Sequence, residues 1–422
     1  MTDVVVVGAG IVGAAVAREL AVRGVAVTLL DRAAVSSGTT GLGEGNVLCS
    51  DKEPGPELEL ARAGLALYGE LGERLGDEAR IRRKGALIVH TDEATWAVEP
   101  ARLERIGMAG ARLVDAGELR ELEPGLTGRV YGASLFPDDL QCDPRAIARA
   151  LAREAAQAGA EIREGCEVGA IVMAGGSGDE RRGAAAEGRP LAAADATRLI
   201  GVVAGGETLH ARAVVIAAGP WSAPLAASAG LELPLEPRKG QLVRLAAPAP
   251  GLIRHKVVDG SYLRTVASRS SALELATVVE TAFDGDILVG SSRERRGFDT
   301  SVDPALSEAL VARAAHLFPR LAQLPIAAAW AGLRPWLPDR LPAIGPSRAV
   351  PGLWLATGHE GAGVALGPVT GRLIAQLYAG ETPVVDPAPF DPDRFSRRAA
   401  ARAADRARRR RARRRSRHVP GP

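Results

Sequence analysis

Short apolar runs alternate with helix-like stretches along most of the chain. Residues 4–7 are four consecutive valines, a run typical of a buried parallel strand. Residues 11–23 carry apolar side chains at helical spacing, and a second apolar run over 25–30 ends at Asp31. A strand, a helix and a strand within about thirty residues predict a βαβ unit at the start of the chain.

Similar patterns continue to about residue 379 without an internal repeat. Further helices are predicted over 58–75, 144–158, 304–317 and from the glycines near 360 to about 379. Further strands are predicted over 85–90, 160–164, 214–217, 287–290 and 353–356, and the whole of 240–300 is strand-rich. Residues 174–198 have few large apolar side chains and are expected to form a flexible insertion. Because strand-rich and α/β stretches interleave, the domains are expected to be discontinuous.

Composition and charge limit the classes of function. With 422 residues, 46% of them hydrophobic, the chain is long enough for two or three domains. The net charge of +3 conceals an asymmetry: residues 397–417 hold twelve Arg and one Asp, which leaves −8 on the rest of the chain. A mildly acidic net charge on the rest of the chain is not typical of a protein that binds nucleic acid specifically. The Arg-rich end has no aromatic residues for base stacking, so a disordered extension is expected and nucleic-acid association is the minor alternative.

Cysteine and histidine spacing gives no sign of disulfides or metal ligands. Cys49, Cys142 and Cys166 are scattered and odd in number, as in a reducing compartment, and the six His residues form no zinc-like spacing. The longest early apolar run, 4–17, is too short to span a bilayer and lacks a basic flank. We therefore expect a cytoplasmic protein with no transmembrane segment and no metal.

A glycine-rich turn connects the first strand to the first helix. Gly8, Gly10 and Gly13 form a GxGxxG pattern, in which Gly10 leaves the backbone open to a pyrophosphate and the helix start presents free N–H groups. Asp31, at the end of the next strand, can accept hydrogen bonds from a ribose 2′-hydroxyl and would repel a 2′-phosphate. This context predicts a dinucleotide site that disfavours NADP, with an unliganded glycine turn as the alternative.

The residues after Asp31 favour FAD over NAD. Arg32 is followed by two small, polar loops at 36–40 and 43–46. Such loops can bind a pyrophosphate and bring backbone against a flat ring, whereas a plain NAD domain has no need of them. An ordinary Gly/Ser connector is the alternative interpretation.

Two late motifs complete the candidate site. Residues 358–364 open a helix whose positive end can face the N1–C2=O edge of a flavin, unless they form only a helix cap. Arg334 lies between an aromatic–glycine turn at 330–332 and Pro335, in an apolar setting. A buried Arg needs an anionic partner, which a substrate carboxylate could supply bidentately, with Asp339 as the structural alternative.

Together these motifs resemble the D-amino-acid oxidase-like flavoprotein family over residues 3–385. Within the family, the chain is similar to the branch of glycine oxidases, D-hydroxyproline dehydrogenases and cyanide-synthase flavin subunits. Besides the early glycine turn, the stretches that carry the resemblance are 214–221, 239–241, 331–335 with Asp339 and Pro342, and Gly358-His359 before Gly363.

The resemblance implies an α/β fold of the glutathione-reductase-2-like kind. A Rossmann-like FAD-binding domain would comprise 1–75, 141–232 and 329–390. A discontinuous β-rich substrate domain would comprise 76–140 and 233–328, and a basic disordered tail 391–422.

The resemblance also implies residue roles. Arg334 matches the family's carboxylate-binding Arg, and Tyr262 matches a substrate-pocket Tyr. The positions implied around FAD are Gly8, Gly10, Ile11, Val12, Gly13, Asp31, Arg32, Thr39, Thr40, Glu44, Gly45, Asn46, Val168, Gly219, Trp221, Gly332, Gly358, His359, Gly361, Gly363 and Val364. Some relatives carry an Arg where this chain has Gly361, so a second carboxylate contact is missing or comes from elsewhere. The Cys or His that anchors flavin covalently in other relatives is absent, which implies non-covalent FAD.

The activity implied is oxidation of an amine α to a carboxylate, by hydride transfer from the Cα–H to flavin N5. Glycine, a D-amino acid, sarcosine and a cyclic imino acid such as D-hydroxyproline are the candidate substrates, in keeping with a role in amino-acid catabolism. No catalytic acid or base is required if the amine binds neutral. The electron acceptor is oxygen or, if the chain is the flavin subunit of a heteromeric dehydrogenase, a redox partner protein, and the oligomeric state is left open.

Overall fold

The computed structural model describes residues 2–174, 198–248 and 251–395. The insertion expected at 174–198 lies outside these ranges except for its two end residues, and so does the tail beyond residue 395. No helix in the described ranges is long and apolar enough to cross a bilayer.

Each helix and strand that the hydrophobic pattern predicts is present, and the described residues contain further elements that it did not predict. The helices of the described residues are α1 (Ile11–Ala21), α2 (Pro56–Leu75), α3 (Glu93–Ile106), α4 (Ala116–Leu122), α5 (Pro144–Gln157), α6 (Ser222–Ser228), α7 (Tyr262–Ala267), α8 (Pro304–Ala315) and α9 (Gly363–Ala379). The first twelve strands are β1 (Thr2–Val7), β2 (Val27–Leu30), β3 (Asn46–Val47), β4 (Ile81–Arg83), β5 (Ala86–His90), β6 (Arg112–Asp115), β7 (Gly132–Phe136), β8 (Leu140–Cys142), β9 (Glu161–Arg163), β10 (Val168–Met173), β11 (Leu199–Ala204) and β12 (Glu207–Ile216). The remaining strands are β13 (Glu236–Leu245), β14 (Lys256–Asp259), β15 (Glu274–Thr281), β16 (Ile287–Arg293), β17 (Ile326–Trp336), β18 (Ala343–Pro346) and β19 (Leu353–Thr357).

The first sheet is parallel at its centre, with the strand order β9-β2-β1-β12-β19 and β18 antiparallel at one edge. The valines of β1 are buried on both faces of the sheet, as a continuous apolar run predicts. On one face, α1 packs between α5 and α9. On the other face lie α6 and the antiparallel ladder of β10, β11 and the start of β12. The fold is therefore α/β with a Rossmann-like first unit.

The starts of α1 and α9 approach each other closely. A Cβ on Gly371 would lie 2.5 Å from the backbone carbon of Ala15, and one on Gly367 would lie 3.1 Å from the Ile11 side chain. Small residues therefore let the two helices cross in contact. As a result, the N-termini of both helices open at the same edge of the first sheet.

The second sheet is largely antiparallel, with the order β17-β13-β16-β15-β14-β5-β7-β6. Its longest ladder joins β13 to β17, from Glu236 opposite Trp336 to Leu245 opposite Ile326. The domain boundary that the sequence suggests at 328/329 falls inside β17. A third, small sheet has the order β3-β8-β4. In the sequence, its strands fall between strands of the two large sheets.

Three local expectations differ from the structure. The stretch Trp330–Gly332, expected to be a turn, continues as strand within β17, where Gly332 pairs with Gly240. The strand-rich stretch 240–300 contains a short helix, α7. The chain remains packed past residue 391, where the sequence suggests the start of the tail, because the buried carboxylate of Asp393 accepts hydrogen bonds from Ser347 Oγ and Arg348 N.

Candidate functional site

A cavity of about 620 Å³ lies at the carboxyl edge of the parallel sheet. The residues that follow β1, β2, β12 and β19 form one wall, and residues of β13, β16 and β17 form the opposite wall. Ligands of open α/β sheets bind at this edge because the strand ends and helix N-termini meet there. The topology thus gathers the early and late glycine motifs, which are over 300 residues apart in the chain, around one space.

The glycine turn has the space and the polarity that a pyrophosphate requires. Gly8 adopts a φ of +105°, and a Cβ there would lie 2.5 Å from the carbonyl oxygen of Ala217. Gly10 precedes α1, and the Ile11 N–H donates to Thr40 Oγ1 at 3.0 Å. The cavity reaches Gly10, Ile11 and Val12 at the start of α1, where the first-turn N–H groups lack intrahelical acceptors.

Asp31 and its neighbours form the end of the cavity suited to a nucleoside. The Asp31 carboxylate accepts hydrogen bonds from the backbone N–H of Ala9 at 2.7 Å and of Ala33 at 2.9 Å, which ties the glycine turn to the end of β2. Arg32 lies 4.0 Å from the ring centre of Trp221, and both line the cavity together with Val168. Since each carboxylate oxygen has a second lone pair, Asp31 can still accept from ribose hydroxyls.

The loop after β2 is fixed to the second sheet. Residues Thr39–Leu42 form a short 3₁₀ helix. Thr39 Oγ1 donates to the Leu333 carbonyl at 2.7 Å, and Trp330 Nε1 donates to the Leu42 carbonyl at 3.0 Å. A Cβ on Gly332 would lie 3.3 Å from Leu42 Cβ, so the loop approaches the backbone of β17 closely. These contacts hold the loop against β17 and form a wall against which a flat ring could lie.

His359 fixes the second helix start. Its ring is buried, Nε2 lies 2.9 Å from Thr370 Oγ1, and burial lowers the pKa of the imidazole to about 3. The ring is therefore neutral at physiological pH. Gly361, Gly363 and Val364 follow it and line the cavity at the N-terminus of α9.

Arg334 lines the opposite wall, on β17. Its Nη1 donates to the Ser292 carbonyl at 3.0 Å, and the guanidinium lies directly over Gly240, where a Cβ would be 2.0 Å from Nη1. No carboxylate of the described residues lies within 4.0 Å of it, and the carboxylate of Asp339 is held bidentately by Arg394. Burial and the adjacent Arg293 lower the pKa of Arg334, yet a guanidinium remains charged in proteins. The wall thus presents a cation with open donor positions to the cavity.

Two charged residues that the sequence did not single out line the cavity near Arg334. Arg293, on β16, lines the cavity with its guanidinium 4.6 Å from the ring centre of Tyr262, and Glu360 lines it beside Gly361. Glu360 Oε1 lies 3.6 Å from Arg293 Nε and 3.5 Å from Arg238 Nη1. Burial raises the pKa of Glu360. The cations Arg293, Arg334 and Arg238 together lower it by more, so the pKa lies below the ordinary value for Glu. Arg293 is the last residue of β16 and Glu360 lies between β19 and α9, and the sequence does not indicate which side chains of these segments face the cavity.

Glu44 adds a paired negative charge to the lining of the cavity. Lys256 Nζ donates to it at 2.9 Å, and Asn46 Nδ2 donates to it at 2.8 Å and to Glu280 at 3.0 Å. Burial raises the pKa of Glu44, but Lys256 and then Arg334 and Arg293 lower it more, so its pKa lies below the usual range. The carboxylate is therefore ionised and compensated.

Most of the sequence-predicted site residues line the cavity, including Arg334 and Tyr262. Four lie behind its wall: Gly13, Gly45, Asn46 and Gly358. A Cβ would lie 1.8 Å from the Gly8 carbonyl at Gly13, 1.9 Å from the Cys142 carbonyl at Gly45 and 2.2 Å from the Leu337 side chain at Gly358. These residues shape the wall through close packing, and Asn46 acts on it through Glu44. Within the described ranges, no group of three His, Cys, Asp or Glu side chains is placed to hold a metal ion.

The sequence has clear relatives. The family described as FAD dependent oxidoreductase matches residues 3–377. The chain is 34% identical over 398 residues to the glycine oxidase of Pseudomonas aeruginosa, covering 92% of this chain and 98% of that protein. It is 31% identical over 352 residues to the hydrogen cyanide synthase subunit HcnC of the same species, covering 82% and 76%.

A solved relative has the same fold. The crystal structure of glycine oxidase from Geobacillus kaustophilus superposes with a TM-score of 0.77 at 30% identity, covering 93% of this chain and 98% of that one. The open glycine turn, the second helix start and the wall formed by residues 39–42 all fit the cofactor that the family requires. The chain therefore belongs to the D-amino-acid oxidase-like family of FAD-dependent oxidoreductases, and it is an FAD-dependent enzyme.

Proposed function

We propose that this enzyme oxidises an amine in which the carbon bonded to the nitrogen also carries a carboxylate. Glycine, sarcosine, a D-amino acid and a cyclic imino acid are examples. The observation that carries the proposal is Arg334, a cavity-lining guanidinium without a described carboxylate within 4.0 Å. An Arg fork binds a carboxylate bidentately, which fixes both the position and the rotation of a small substrate. The similarity to glycine oxidases over almost their whole length supports the same class of substrate.

FAD bound in the cavity would supply the two-electron acceptor, held by the glycine turn, Asp31 and the start of α9. Arg334 would bind the carboxylate and direct the Cα–H towards the ring wall formed by residues 39–44. Gly240 leaves the space that the guanidinium needs, since a Cβ there would lie 2.0 Å from Nη1, whereas a Cβ at Gly361 would make ordinary contact with the Arg334 side chain at 3.7 Å. Rate acceleration would come chiefly from this orientation and from the positive end of α9.

No side chain is assigned as a catalytic acid or base. His359 is buried, neutral and bound to Thr370, and Glu44 is paired with Lys256. Glu360 faces the guanidinium groups of Arg238 and Arg293. An amine that binds in its neutral form needs no proton acceptor before its Cα–H is transferred.

The test is anaerobic reduction of the purified yellow protein by glycine, sarcosine, D-amino acids, and proline and hydroxyproline stereoisomers. We expect at least one of them to bleach the flavin, and acid treatment to release FAD from the polypeptide. Bleaching only by amines without a carboxylate, or by hydroxy acids, would contradict the proposal. Flavin that stays with the denatured chain would contradict non-covalent binding.

Admitting oxygen to the reduced protein then identifies the electron acceptor. Rapid return of the yellow colour indicates an oxidase. Slow reoxidation by oxygen with fast reoxidation by an artificial dye indicates a dehydrogenase that passes electrons to a partner protein, which the similarity to HcnC makes the second candidate.

A further inference from the structure

Two guanidinium groups, on two different strands, line the substrate wall of the cavity. Arg334 belongs to β17 and Arg293 to β16, and these strands flank β13. The side chain of Arg334 crosses over Gly240 of β13 and reaches the carbonyl of Ser292, the residue next to Arg293. The two cations therefore converge on the same part of the cavity.

Arg293 has unused hydrogen-bonding capacity although it is only 2% exposed. Its Nη1 makes long contacts to two hydroxyls, Ser291 Oγ at 3.3 Å and Thr265 Oγ1 at 3.4 Å, and its buried Nε has no hydrogen-bond partner. The nearest carboxylate oxygen, Glu360 Oε1, lies 3.6 Å away and is also unbonded. Removing a guanidinium from water costs free energy. Only an anion that is hydrogen-bonded to the guanidinium offsets this cost.

The charges around these groups leave an excess of one cation in the described residues. Lys256 and Lys84 are balanced by Glu44 and Glu280, through contacts of 2.9 and 3.2 Å. Against the three guanidinium groups of Arg238, Arg293 and Arg334 stand two carboxylates, Glu360 and, at 3.3 Å from Arg238, Glu274. A substrate whose amine binds neutral balances this excess with the carboxylate on Arg334, and the weakly bonded and unbonded donors of Arg293 can then bind a second carboxylate.

We propose that Arg293 binds a second carboxylate of the substrate, so that the preferred substrates are amino or imino dicarboxylic acids. The carboxylate next to the reacting carbon lies on Arg334, and the distal one lies on Arg293 above the Tyr262 ring. This proposal rests on the proposed oxidation of α-amino carboxylates in the same cavity. It also assigns a role to a cation that the binding of a single carboxylate leaves unused.

The first test compares substrates of equal size that differ in one charge, using the holoenzyme. D-Aspartate is compared with D-asparagine, and iminodiacetate with its monoamide. We expect kcat/KM for the acid to exceed that for the amide by about tenfold or more in at least one pair, as for a charge-assisted hydrogen bond. A preference for D-aspartate would show that the second carboxylate belongs to a side chain on the α-carbon. A preference for iminodiacetate would show that it belongs to a substituent on the nitrogen.

An amide that is turned over as well as its acid in both pairs overturns the proposal, even if glycine or sarcosine is a substrate. If no carboxylated amine of any kind bleaches the flavin, the proposed function itself fails, which is a distinguishable result.

The second test removes the charge from Arg293. In Arg293→Gln, the acid-to-amide ratio is expected to fall by about tenfold or more, towards one. Arg238→Gln is the matched control, because it removes a cation of the same cluster that does not line the cavity, and it is expected to change the ratio far less. Equal changes in both variants, or an equal loss for acid and amide in Arg293→Gln, overturn the assignment.

The ratio of flavin to protein and the circular dichroism spectrum establish that each variant is folded. If Arg293→Gln does not fold, Arg293→Lys replaces it: a retained charge without the planar fork is expected to lower the acid-to-amide ratio partly. An unchanged ratio in Arg293→Lys contradicts the assignment of Arg293 to the second carboxylate.

Discussion

Arg334 can lie over β13 because residue 240 has no side chain. The guanidinium occupies the position that a Cβ would take, and its remaining donors point to the cavity with Gly361 beside its aliphatic part. The neighbouring carboxylate of Asp339 is engaged by Arg394 at 2.9 and 3.1 Å. At the scale of single residues, the proposed substrate binding would thus depend on one cation, Arg334, and on Gly240, which gives it room.

We predict that Arg334→Lys lowers kcat/KM for carboxylated amines while FAD stays bound. Lys keeps the charge but loses the fork, and loss of a charge-assisted hydrogen bond costs about 1.5–3 kcal/mol, or more than tenfold. Steady-state kinetics and the visible spectrum provide the measurement. Arg394→Lys is the control for a structural Arg: it should lower Tm with little change in kcat/KM. Equal losses with amines that have no carboxylate would show that Arg334 acts on the fold.

Gly240→Ala is predicted to act through Arg334. The added Cβ would lie 2.0 Å from Nη1, so the guanidinium must move, and a displacement of about 1 Å can cost a hundredfold in rate. We expect kcat/KM for carboxylated amines to fall by about tenfold or more, with FAD retained. Gly69→Ala, where a Cβ in α2 meets nothing within 4 Å, is the matched control and should leave kinetics unchanged. Unaltered kinetics in Gly240→Ala would mean that Arg334 does not set the substrate's position.

At the scale of elements, two helix starts define the cofactor wall. The starts of α1 and α9 lie together because glycines in α9 let the helices touch. The neutral ring of His359 holds the segment before α9 through Thr370. Because α9 begins next to the cavity, anything that charges this ring disturbs the cofactor wall.

The burial of the His359 ring makes the folding stability depend on pH. In the unfolded chain His359 binds a proton below about pH 6.5, whereas in the folded protein its pKa is about 3. Stability from this residue is therefore present above pH 6.5 and is lost as the pH falls, at up to about 1.4 kcal/mol per unit.

We predict that His359→Gln, which cannot titrate, is less stable than the unmodified protein at pH 7 but loses stability less steeply between pH 6 and pH 4. Urea unfolding at several pH values, with FAD in excess, measures the two slopes. His316→Gln, at an exposed position, controls for the replacement itself. Identical slopes for the His359 variant and the unmodified protein would show that this ring is not the titrating group.

At the scale of the whole molecule, the two large sheets enclose the cavity, and the end of the described chain packs against the first one. Asp393 is bonded to Ser347 Oγ at 3.0 Å and to Arg348 N at 2.7 Å. Arg394 binds Asp339 and donates to the Leu341 carbonyl at 2.6 Å. These contacts extend past residue 377, where the family match ends.

Two truncations separate the packed end from the Arg-rich segment. Removal of residues 397–422 is expected to leave flavin content and turnover nearly unchanged and to abolish weak, salt-sensitive polyanion binding. Removal of 391–422 also deletes Asp393 and Arg394 and should cost about 3 kcal/mol or more, because several hydrogen bonds are lost together. Thermal unfolding and flavin-to-protein ratios measure both. Equal stability of the two truncated proteins would contradict the structural role of residues 391–395.

The sequence by itself determined the features whose physical cause is local. The run of valines, the GxGxxG turn and Asp31 lie within one βαβ unit, and their spacing alone predicts a strand, a helix start and a dinucleotide site. The resemblance carried by the later motifs extended this to the family and to Arg334. Both the family and the requirement for FAD are confirmed by the match over residues 3–377.

Only the tertiary structure decided which charges share the cavity. Residues 330–332 have the composition of a turn, but pairing with β13 holds them in a strand. Arg293, Arg334 and Glu360 come from three distant segments, and no spacing in the chain relates them. Side chains alternate between the two faces of a strand, so the pairing of β13, β16 and β17 selects the Arg residues that turn inward. Long-range pairing, rather than local sequence, therefore placed the second guanidinium beside the first.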